Sequence, residues 1–361
     1  MIPCRVAVVE WTHDGDAIGE AIYQELHLIG HEPVYFPARA YTDFILTGET
    51  DLVLLFGPFG KFLPILEYVA QMPLEARPLT LFWNTEGFPN PRIPWPIMRQ
   101  GARIRSWIGR HVDAKGLLTR MPVIKDLFSS VDRQMMPYRH LGDFLHAQYH
   151  GLIDVYADVS AVYGHYLRRK ANFDPVEAPL GSSHRWYTDL GLERDIDVIW
   201  IGKRETKRVS SLLEQIQKHL SKQGVQMLLI DDEKACFRID EERIRLLNRS
   251  KINLNILSTW HDENSLEISI AASNRSLVVS EPLLPHVLKY EAGVHYVSSP
   301  IAKLADTIIY YLEHDNERDV IIKKAYQLMT TELSLYWSVQ RVMNAVELKR
   351  FGSEMNRSPG G

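Results

Sequence analysis

Short apolar runs alternate with amphipathic helical patterns through the first half of the chain. The first four runs, rich in branched and aromatic residues, are Arg5–Trp11, Pro33–Phe36, Leu52–Phe56 and Leu79–Trp83. Near-continuous apolar strands are typical of a parallel sheet buried on both faces. Between the first two runs, apolar residues recur at helical spacing from Ile18 to Ile29, and Gly30 predicts the end of that helix.

The rhythm changes between Pro89 and Arg139, where prolines stand at positions 89, 91, 94 and 96. This segment predicts an insertion or a set of short helices. Regular patterning returns at Asp154–Tyr163, and the proline- and glycine-containing stretch Asp174–Ser183 is typical of a crossover between domains. We place the domain boundary near residue 188.

A second alternating series follows this boundary. Its predicted strands are Asp195–Gly202, Val225–Asp231, Ile252–Leu257, Ser276–Ser280 and Val294–Val297. The helix after Gly202 carries one apolar face, formed by Val209, Leu212, Leu213, Ile216 and Leu220. Two consecutive series predict two doubly wound α/β domains, in which ligands bind at the carboxyl ends of strands.

Composition narrows the class of protein. The 361 residues suit two domains, and 45% apolar with 24% charged residues is ordinary for a globular protein. The net charge of −4 gives no global reason to expect a nucleic-acid partner. Two isolated cysteines, Cys4 and Cys236, argue against disulfides and structural zinc. The start of the chain lacks the pattern of a secretion signal and no long apolar segment follows, so we expect a cytoplasmic protein.

The region from DIDVIWIGK onward resembles the C-terminal domain of group-1-type glycosyltransferases, in particular the branch related to CgeB-like proteins. The matching segments are NRSKINLNIL, LEISIAASNRSLVVSE, YEAGVHYVSS and IAKLADTIIYYLEHDNERDVIIKKAYQLM. The resemblance implies a GT-B fold, two Rossmann-like domains facing a central cleft. It implies an acceptor-side domain at 1–188, with the basic insertion near 89–139, and a nucleotide-sugar-binding domain at 189–333. A final helix at 334–351 would return to the N-terminal domain, and the tail 352–361 reads as disordered.

By the same resemblance, Glu267 is the ribose-binding acid of the donor site. A carboxylate there can accept two hydrogen bonds from vicinal hydroxyl groups, although an acid in the first turn of a helix is also favourable by itself. The sequence departs from the family where Asn274 and Arg275 replace the usual glycine. The earlier glutamate of the family's two-glutamate motif has no clear counterpart.

The loop GKRETKR follows a predicted strand and opens a helix, where free backbone N–H groups favour an anion. Its predicted donor-binding residues are Gly202, Lys203, Arg204, Lys207 and Arg208, and a solvated basic helix start is the alternative. Nearby, Asn264 and Ser265 precede Glu267 and are candidates for phosphate or sugar contacts, although such residues also cap helices. His261 is a weaker donor-site candidate, since it also fits a plain loop histidine.

Candidate catalytic residues lie on loops after strands in the N-terminal half. His13 or Asp14, in WTHDG, could act as general base in an inverting reaction, although Asp-Gly by itself predicts a turn. Glu86, in WNTEGFP, is a third candidate. Between Arg92 and Lys125, eight basic residues face one acid. With interleaved tryptophans they suit an anionic membrane surface or an acidic acceptor, or else form a solvated face.

The sequence thus predicts a hexosyl-type glycosyltransferase that uses a nucleoside-diphosphate sugar as substrate and needs no cofactor. It carries no convincing DxD pair, so we predict metal independence. The resemblance alone favours retention of configuration. A nucleotide-sugar epimerase or hydrolase, or an inactive nucleotide-sugar-binding protein, are the alternatives. The acceptor is not identified, and peripheral contact with an anionic membrane, at its inner face, is part of the hypothesis.

Overall fold

The computed structural model describes residues 3–10, 18–37, 50–57, 62–111, 122–204, 206–231, 239–259, 265–283 and 289–357. These described residues form two compact units. The first contains Leu26–Ala178, the opening strand and most of the last helix from Arg341; the second contains Pro179–Gln340 and the opening helix as far as Glu25. Each unit is built on a parallel sheet with helices between its strands.

The strands of the first unit are β1 (Arg5–Glu10), β2 (Glu32–Pro37), β3 (Leu52–Gly57), β4 (Leu79–Asn84), β5 (Val155–Asp158) and β6 (Val176–Glu177). Within the described residues they pair in parallel in the order β2-β1-β3-β4-β5-β6. Val8 of β1 lies beside Tyr35 of β2 on one side and Leu54 of β3 on the other. Every residue of β3 except its terminal glycine is a buried apolar residue, as a continuous apolar run predicts.

The opening helix α1 (Ile18–Leu28) lies in the second unit as far as Glu25. The other helices of the first unit are α2 (Leu63–Ala70), α3 (Trp95–His111), α4 (Pro122–Tyr149) and α5 (Ala161–Ala171). The proline-rich segment was expected to give an insertion or short helices, but α3 and α4 are 17 and 28 residues long. The prolines at 94 and 96 precede or open α3, where a missing backbone N–H costs nothing. They therefore start a helix and do not interrupt one.

Glycines let α3 and α4 approach each other closely. A Cβ atom at Gly142 would lie 2.1 Å from the carbonyl oxygen of Ala102, so the backbones are in contact there. A Cβ atom at Gly109 would lie 2.8 Å from Nε of Arg139. The close pair puts Phe144 into the first core, with its ring 4.6 Å from that of Tyr156.

The strands of the second unit are β7 (Ile196–Ile201), β8 (Met227–Ile230), β9 (Ser250–Asn255), β10 (Leu277–Ser280) and β11 (Val297–Ser298). In the part of this unit that the structure describes, they pair in parallel in the order β11-β10-β9-β7-β8. Its helices are α6 (Lys207–Lys222), α7 (Glu241–Arg249), α8 (Ser265–Ser273), α9 (Leu304–Glu313) and α10 (Asp315–Thr330). The predicted apolar face of α6 is confirmed, because Val209, Leu213, Ile216 and Leu220 are buried and Leu212 packs against the same core.

The turn between α8 and β10 contains Asn274 and Arg275 at the place where the resembling family usually has a glycine. Arg275 has φ +59°, the left-handed region that usually favours glycine or asparagine. Its backbone N–H donates to Ala272, and that of Ser276 donates to Ala271, which closes the end of α8. The Arg275 guanidinium lies 4.3 Å from the centre of the Tyr326 ring, a cation–π contact that compensates part of the backbone cost.

The last helix, α11 (Leu335–Arg357), begins in the second unit, where the Ser338 hydroxyl donates to the Pro179 carbonyl over 2.7 Å. Its later part belongs to the first unit, where Arg350 lies 3.4 Å from Asp51. No helix in the described ranges is long and apolar enough to cross a membrane. The predicted fold class, two doubly wound parallel-sheet α/β domains, is confirmed.

Candidate functional site

The loop after β7 leads directly into α6 at the carboxyl edge of the second sheet. Thr206 caps the helix, its hydroxyl accepting from the Val209 N–H over 3.2 Å. A Cβ atom at Gly202 would lie 2.9 Å from the Trp200 ring, so the loop passes too close to the indole for any side chain. The α6 N-terminus and its backbone N–H groups are therefore set just beyond the strand end, where an anion is favoured.

The cations of this loop are not equivalent. Arg204 pairs with Asp231, which directly follows β8, with Nε and Oδ2 2.7 Å apart. Lys207 is exposed on the first turn of α6 and has no carboxylate partner among the described residues. Lys203 is half-buried beside them. Of the loop side chains described here, Lys207 is the one best able to reach a ligand phosphate.

Arg208 is committed to a carboxylate that the sequence reasoning missed. Its guanidinium forms a two-pronged pair with Glu281, which follows β10, and also donates to the Leu257 carbonyl over 2.6 Å. The Leu257 N–H donates to Glu281 over 2.7 Å, and Glu281 is 4% exposed. Arg208 and Glu281 thus tie α6 to the carboxyl ends of β9 and β10. The only sequence signal was an acid placed directly after a buried strand.

Glu267 lies in the first turn of α8, as predicted, and its carboxylate pairs with Arg243 of α7. Arg243 is 6% exposed, whereas the Glu267 side chain is 37% exposed. Asp240 caps α7 by accepting from the Arg243 N–H over 3.0 Å. The arginine was not predicted. It fixes one carboxylate oxygen of Glu267, and the remaining exposure leaves the acid accessible to a ligand hydroxyl group.

Other predicted donor residues are less defined. Ser265 is the first residue of α8, next to the turn that carries Glu267. Asn264 and His261 lie outside the described residues, as do His13 and Asp14 of the first unit. Within the described ranges, no group of three or more His, Cys, Asp or Glu side chains is arranged to hold a metal ion. Metal independence stays a prediction.

Glu86 lies on the loop after β4, at the carboxyl edge of the first sheet. The Asn84 side-chain amide donates to the Glu86 carbonyl over 2.8 Å, and the Glu86 N–H returns a bond to Asn84 Oδ1 over 3.3 Å. This local turn is the type that Asn side chains form with the backbone two residues on. It holds Glu86 half-buried at the strand end, where a side chain can meet a ligand.

A buried carboxyl group beneath this loop was not predicted. Asp158 ends β5 and accepts from the Tyr156 hydroxyl (2.6 Å), the Asn84 amide (3.1 Å) and the Ser160 N–H (2.8 Å). Burial raises the pKa of Asp158 to about 7, against the lowering effect of these donors. The Asp158 carboxyl group thus fixes Asn84, and through it the Glu86 turn.

Glu10 is a second buried acid at the same edge, at the end of β1. It is 1% exposed and accepts from the Tyr35 hydroxyl over 2.7 Å. In the sequence, Glu10 precedes the segment that contains His13 and Asp14, which lies outside the described residues. The carboxyl edge of the first sheet therefore carries buried acids at the ends of β1 and β5.

Within the basic segment, helix α3 exposes some of the cations and buries others. Arg103 is exposed, as both a ligand-facing cation and a solvated face require, whereas Arg105 of the same basic segment is 6% exposed. The helical period explains the difference, because positions 98, 102, 105 and 109 share the face that packs inward. The segment therefore carries a local positive charge, but only some of its cations, such as Arg103, are exposed to solvent.

Solved structures share this fold. Sucrose-phosphate synthase from Thermosynechococcus elongatus matches with a TM-score of 0.58 at 9% identity, over 97% of this chain and 100% of that one. A glycosyltransferase from Rickettsia africae gives 0.56 at 10% identity over 99% and 100%. Anabaena HepE in complex with UDP gives 0.55 at 8% identity over 95% and 99%. No protein-family model and no curated protein sequence matches this chain. The fold is GT-B, as predicted.

Proposed function

We propose that this chain is a glycosyltransferase that moves a sugar from a nucleoside-diphosphate sugar, held by the second unit, to an acceptor held by the first. The observation that carries the proposal is the carboxyl edge of the second sheet. There the capped N-terminus of α6, with the exposed Lys207, follows β7, and the start of α8, with the partly exposed Glu267, follows the neighbouring strand β9. HepE, which shares the fold, has been solved with UDP and with UDP-glucose.

The diphosphate would lie at the start of α6. Backbone N–H groups there, with Lys207 and Lys203, would stabilise the charge that develops on the departing diphosphate. Arg204 and Arg208 have structural partners, so we assign them to shaping the loop and not to direct contact. This is a narrower role than the sequence suggested for those two residues.

The ribose would be held by Glu267. Its pairing with Arg243 fixes the side-chain orientation before a ligand arrives, which lowers the entropy cost of binding. The exposed part of the carboxylate can then accept hydrogen bonds from ribose hydroxyl groups. Ser265, Asn264 and His261 remain donor-side candidates on the same loop and helix start.

The acceptor side would use Glu86, with His13 and Asp14 as the other catalytic candidates, and such a residue would act as general base only in an inverting reaction. Glu86 is the one whose position is described, and the Asn84–Asp158 network holds its backbone at the strand end. We assign the chain to the CgeB-like branch and to hexosyl transfer without metal, with retention of configuration as the expected outcome. We place it in the cytoplasm with peripheral contact at an anionic membrane.

A nucleotide-sugar-binding protein without activity is the second candidate, favoured by one observation. Two of the four loop cations, Arg204 and Arg208, are occupied by carboxylates, which leaves less charge for a departing diphosphate. Donor turnover measured with candidate acceptors separates the two, and product analysis separates transfer from epimerisation or hydrolysis.

A thermal-shift series across nucleoside diphosphates tests the site itself. A ligand at about 100 times its dissociation constant should raise the unfolding free energy by roughly 2.7 kcal/mol. If no nucleoside diphosphate or nucleotide sugar shifts the unfolding temperature, the donor site is wrongly placed and both candidate functions fall.

A further inference from the structure

A basic pocket of about 720 Å³ lies on the first unit, lined by α3, the end of α4 and the end of α5. Four cations line it: Arg99, Arg103 and Arg110 of α3, and Lys170 of α5. Among the described residues that line the pocket there is no Asp or Glu. The pocket lining is therefore positively charged, and no acidic side chain among its described residues neutralises that charge.

Three of these cations are available to a ligand. Arg99, Arg103 and Lys170 are exposed, and none has a carboxylate partner in the described part of the chain. Several other surface arginines of the first unit are paired, for example Arg168 with Asp174 and Arg5 with Glu32. Within the described residues these three cations are left without a carboxylate, so an anion from outside can pair with them.

Arg110 is oriented by a neutral partner. It donates to the His146 ring over 3.0 Å, and burial together with Arg110 itself lowers the pKa of His146 to about 4. His146 is therefore uncharged at neutral pH and accepts this hydrogen bond. His150 packs on the His146 ring at 4.4 Å, and the buried Asp143 is turned toward Ser106 (2.6 Å) and Arg139 (3.6 Å).

Aromatic and aliphatic surface borders the cations. Trp95 is half-buried in the pocket wall and packs on Tyr166 with ring centres 5.8 Å apart. Trp107 lines the pocket and is 54% exposed. Ile97 and Ile104 continue the exposed strip from Trp107 along the same side of α3 and are 64% and 52% exposed. Basic residues beside exposed tryptophan and isoleucine on one helix are typical of helices that lie at a membrane surface.

The pocket is distinct from the loop that carries Glu86. The ends of α4 and α5 connect to the starts of β5 and β6, so they lie at the amino edge of the first sheet. Asn84 and Asp158 lie at the opposite, carboxyl edge. A ligand in the pocket would therefore be held away from these groups and would position the protein, not react.

We propose that this pocket binds a phosphate group that carries an apolar substituent, as the head group of an anionic lipid does. The phosphate meets Arg99, Arg103 and Lys170, and the apolar part lies against Trp107 and Ile104. This inference specifies the membrane contact of the proposed function, but it does not depend on sugar transfer.

The test uses the full chain and two matched double variants. Arg99→Gln with Arg103→Gln removes two pocket cations four residues apart on α3. Lys218→Gln with Lys222→Gln removes two exposed cations at the same spacing on α6 and is the control for net charge. Both pairs are exposed and without described partners, so both variants should fold.

Co-sedimentation is measured with phosphatidylcholine vesicles, with and without phosphatidic acid. We expect the wild type to bind only the acidic vesicles, the pocket variant to bind them about 30-fold more weakly, and the control to bind nearly as well as the wild type. High salt screens the charge contribution, so the apolar contact should account for more of the remaining binding. The single variant Trp107→Ala should therefore lose a larger share of its vesicle binding at high salt than at low salt. If the wild type binds acidic vesicles, equal losses in both double variants, or no loss in the pocket variant, would overturn the proposal.

A second arm separates a lipid from a free phosphate compound. Phenyl phosphate is titrated calorimetrically into the wild type, the pocket variant and Lys207→Gln, the last to account for binding at α6. Affinity that depends on Arg99 and Arg103, without vesicle binding, would assign the pocket to a soluble phosphate. If neither vesicles nor phenyl phosphate bind in a way that depends on these two arginines, the pocket is not an anion site.

Discussion

Three arginines of the second unit pair with carboxylates, whereas two arginines on the exposed side of α3 in the first unit have no such partner in the part of the chain that the structure describes. Arg204, Arg208 and Arg243 each pair with a carboxylate that follows a strand or opens a helix. Arg99 and Arg103 have none within the described ranges. In the second unit, charge is used to fix loops and helix starts relative to the sheet, whereas on α3 it is left open to solvent.

The difference separates positioning from recognition. A pair in which one member is buried, such as Arg208 with Glu281 or Arg243 with Glu267, fixes the position of its residues, and removing either member leaves the other without compensation. An unpaired surface arginine contributes little to stability and is available to a ligand. The two groups look alike in the sequence, because a sequence shows which residues are basic but not which carboxylates they contact.

The largest expected effect is on the stability of the second unit. Glu281→Ala leaves Arg208 and the Leu257 N–H without their acceptor, which should lower the unfolding free energy by about 2–3 kcal/mol. Thermal unfolding should show a loss of roughly 5–10 °C. Glu214→Ala, on the exposed side of α6, is the control and should change little. Equal unfolding temperatures for the two variants would show that the Arg208–Glu281 pair is not structural.

The next effect concerns Glu267, which pairs with Arg243 and is proposed to bind the ribose. Glu267→Ala should weaken nucleoside-diphosphate binding by about 1.5–3 kcal/mol, roughly ten- to a hundredfold, because two charge-assisted hydrogen bonds are lost. Calorimetric titration measures the affinity, and circular dichroism checks that the variant folds. Glu241→Ala removes an exposed first-turn acid from α7 and serves as the control. Unchanged affinity in Glu267→Ala would reduce Glu267 to a partner of Arg243.

A smaller effect separates the loop cations from one another. Lys207→Gln should weaken diphosphate binding by about 1 kcal/mol, close to fivefold, since this exposed cation has no described carboxylate to hold. Arg204→Gln should weaken it less, because Asp231 already occupies that guanidinium. The same titration decides the order. A larger loss in Arg204→Gln would mean that the Asp231 pair opens when the ligand binds.

The smallest effect is an expected absence of change. If loop cations and the start of α6 neutralise the diphosphate, EDTA should leave donor turnover unaltered. Complete loss with EDTA, restored by magnesium or manganese, would show that the leaving group depends on a metal ion.

The sequence predicted the parts of this fold that local pattern determines. Apolar runs located most of the strands, and the stripe on α6 predicted its buried face, because side-chain periodicity follows directly from helix and strand geometry. The placement of Gly202 after a strand and of Lys207 at a helix start followed from the same local pattern, whereas Glu267 was assigned through the family resemblance.

The partners of these residues were not predictable. Glu281 is 73 residues from Arg208, and Arg243 is 24 residues from Glu267, so both pairs depend on which strand ends lie side by side. Asp158 was missed because its role depends on burial beneath the β4 loop, 74 residues away in the chain from Asn84. Arg105 shows the converse, since it belongs to a basic run but its helical position turns it inward.

The glycine contact between α3 and α4 has a consequence for how sequences related to this one can diverge. At Gly142 a methyl group would overlap the Ala102 carbonyl, so selection for folding alone should hold that position fixed. Arg99 and Arg103, a turn away on the open side of α3, contribute little to packing and are free to drift unless a ligand depends on them. In an evolutionary record of this helix pair, glycine kept at 142 would report the fold, and arginine kept at 99 and 103 would report binding.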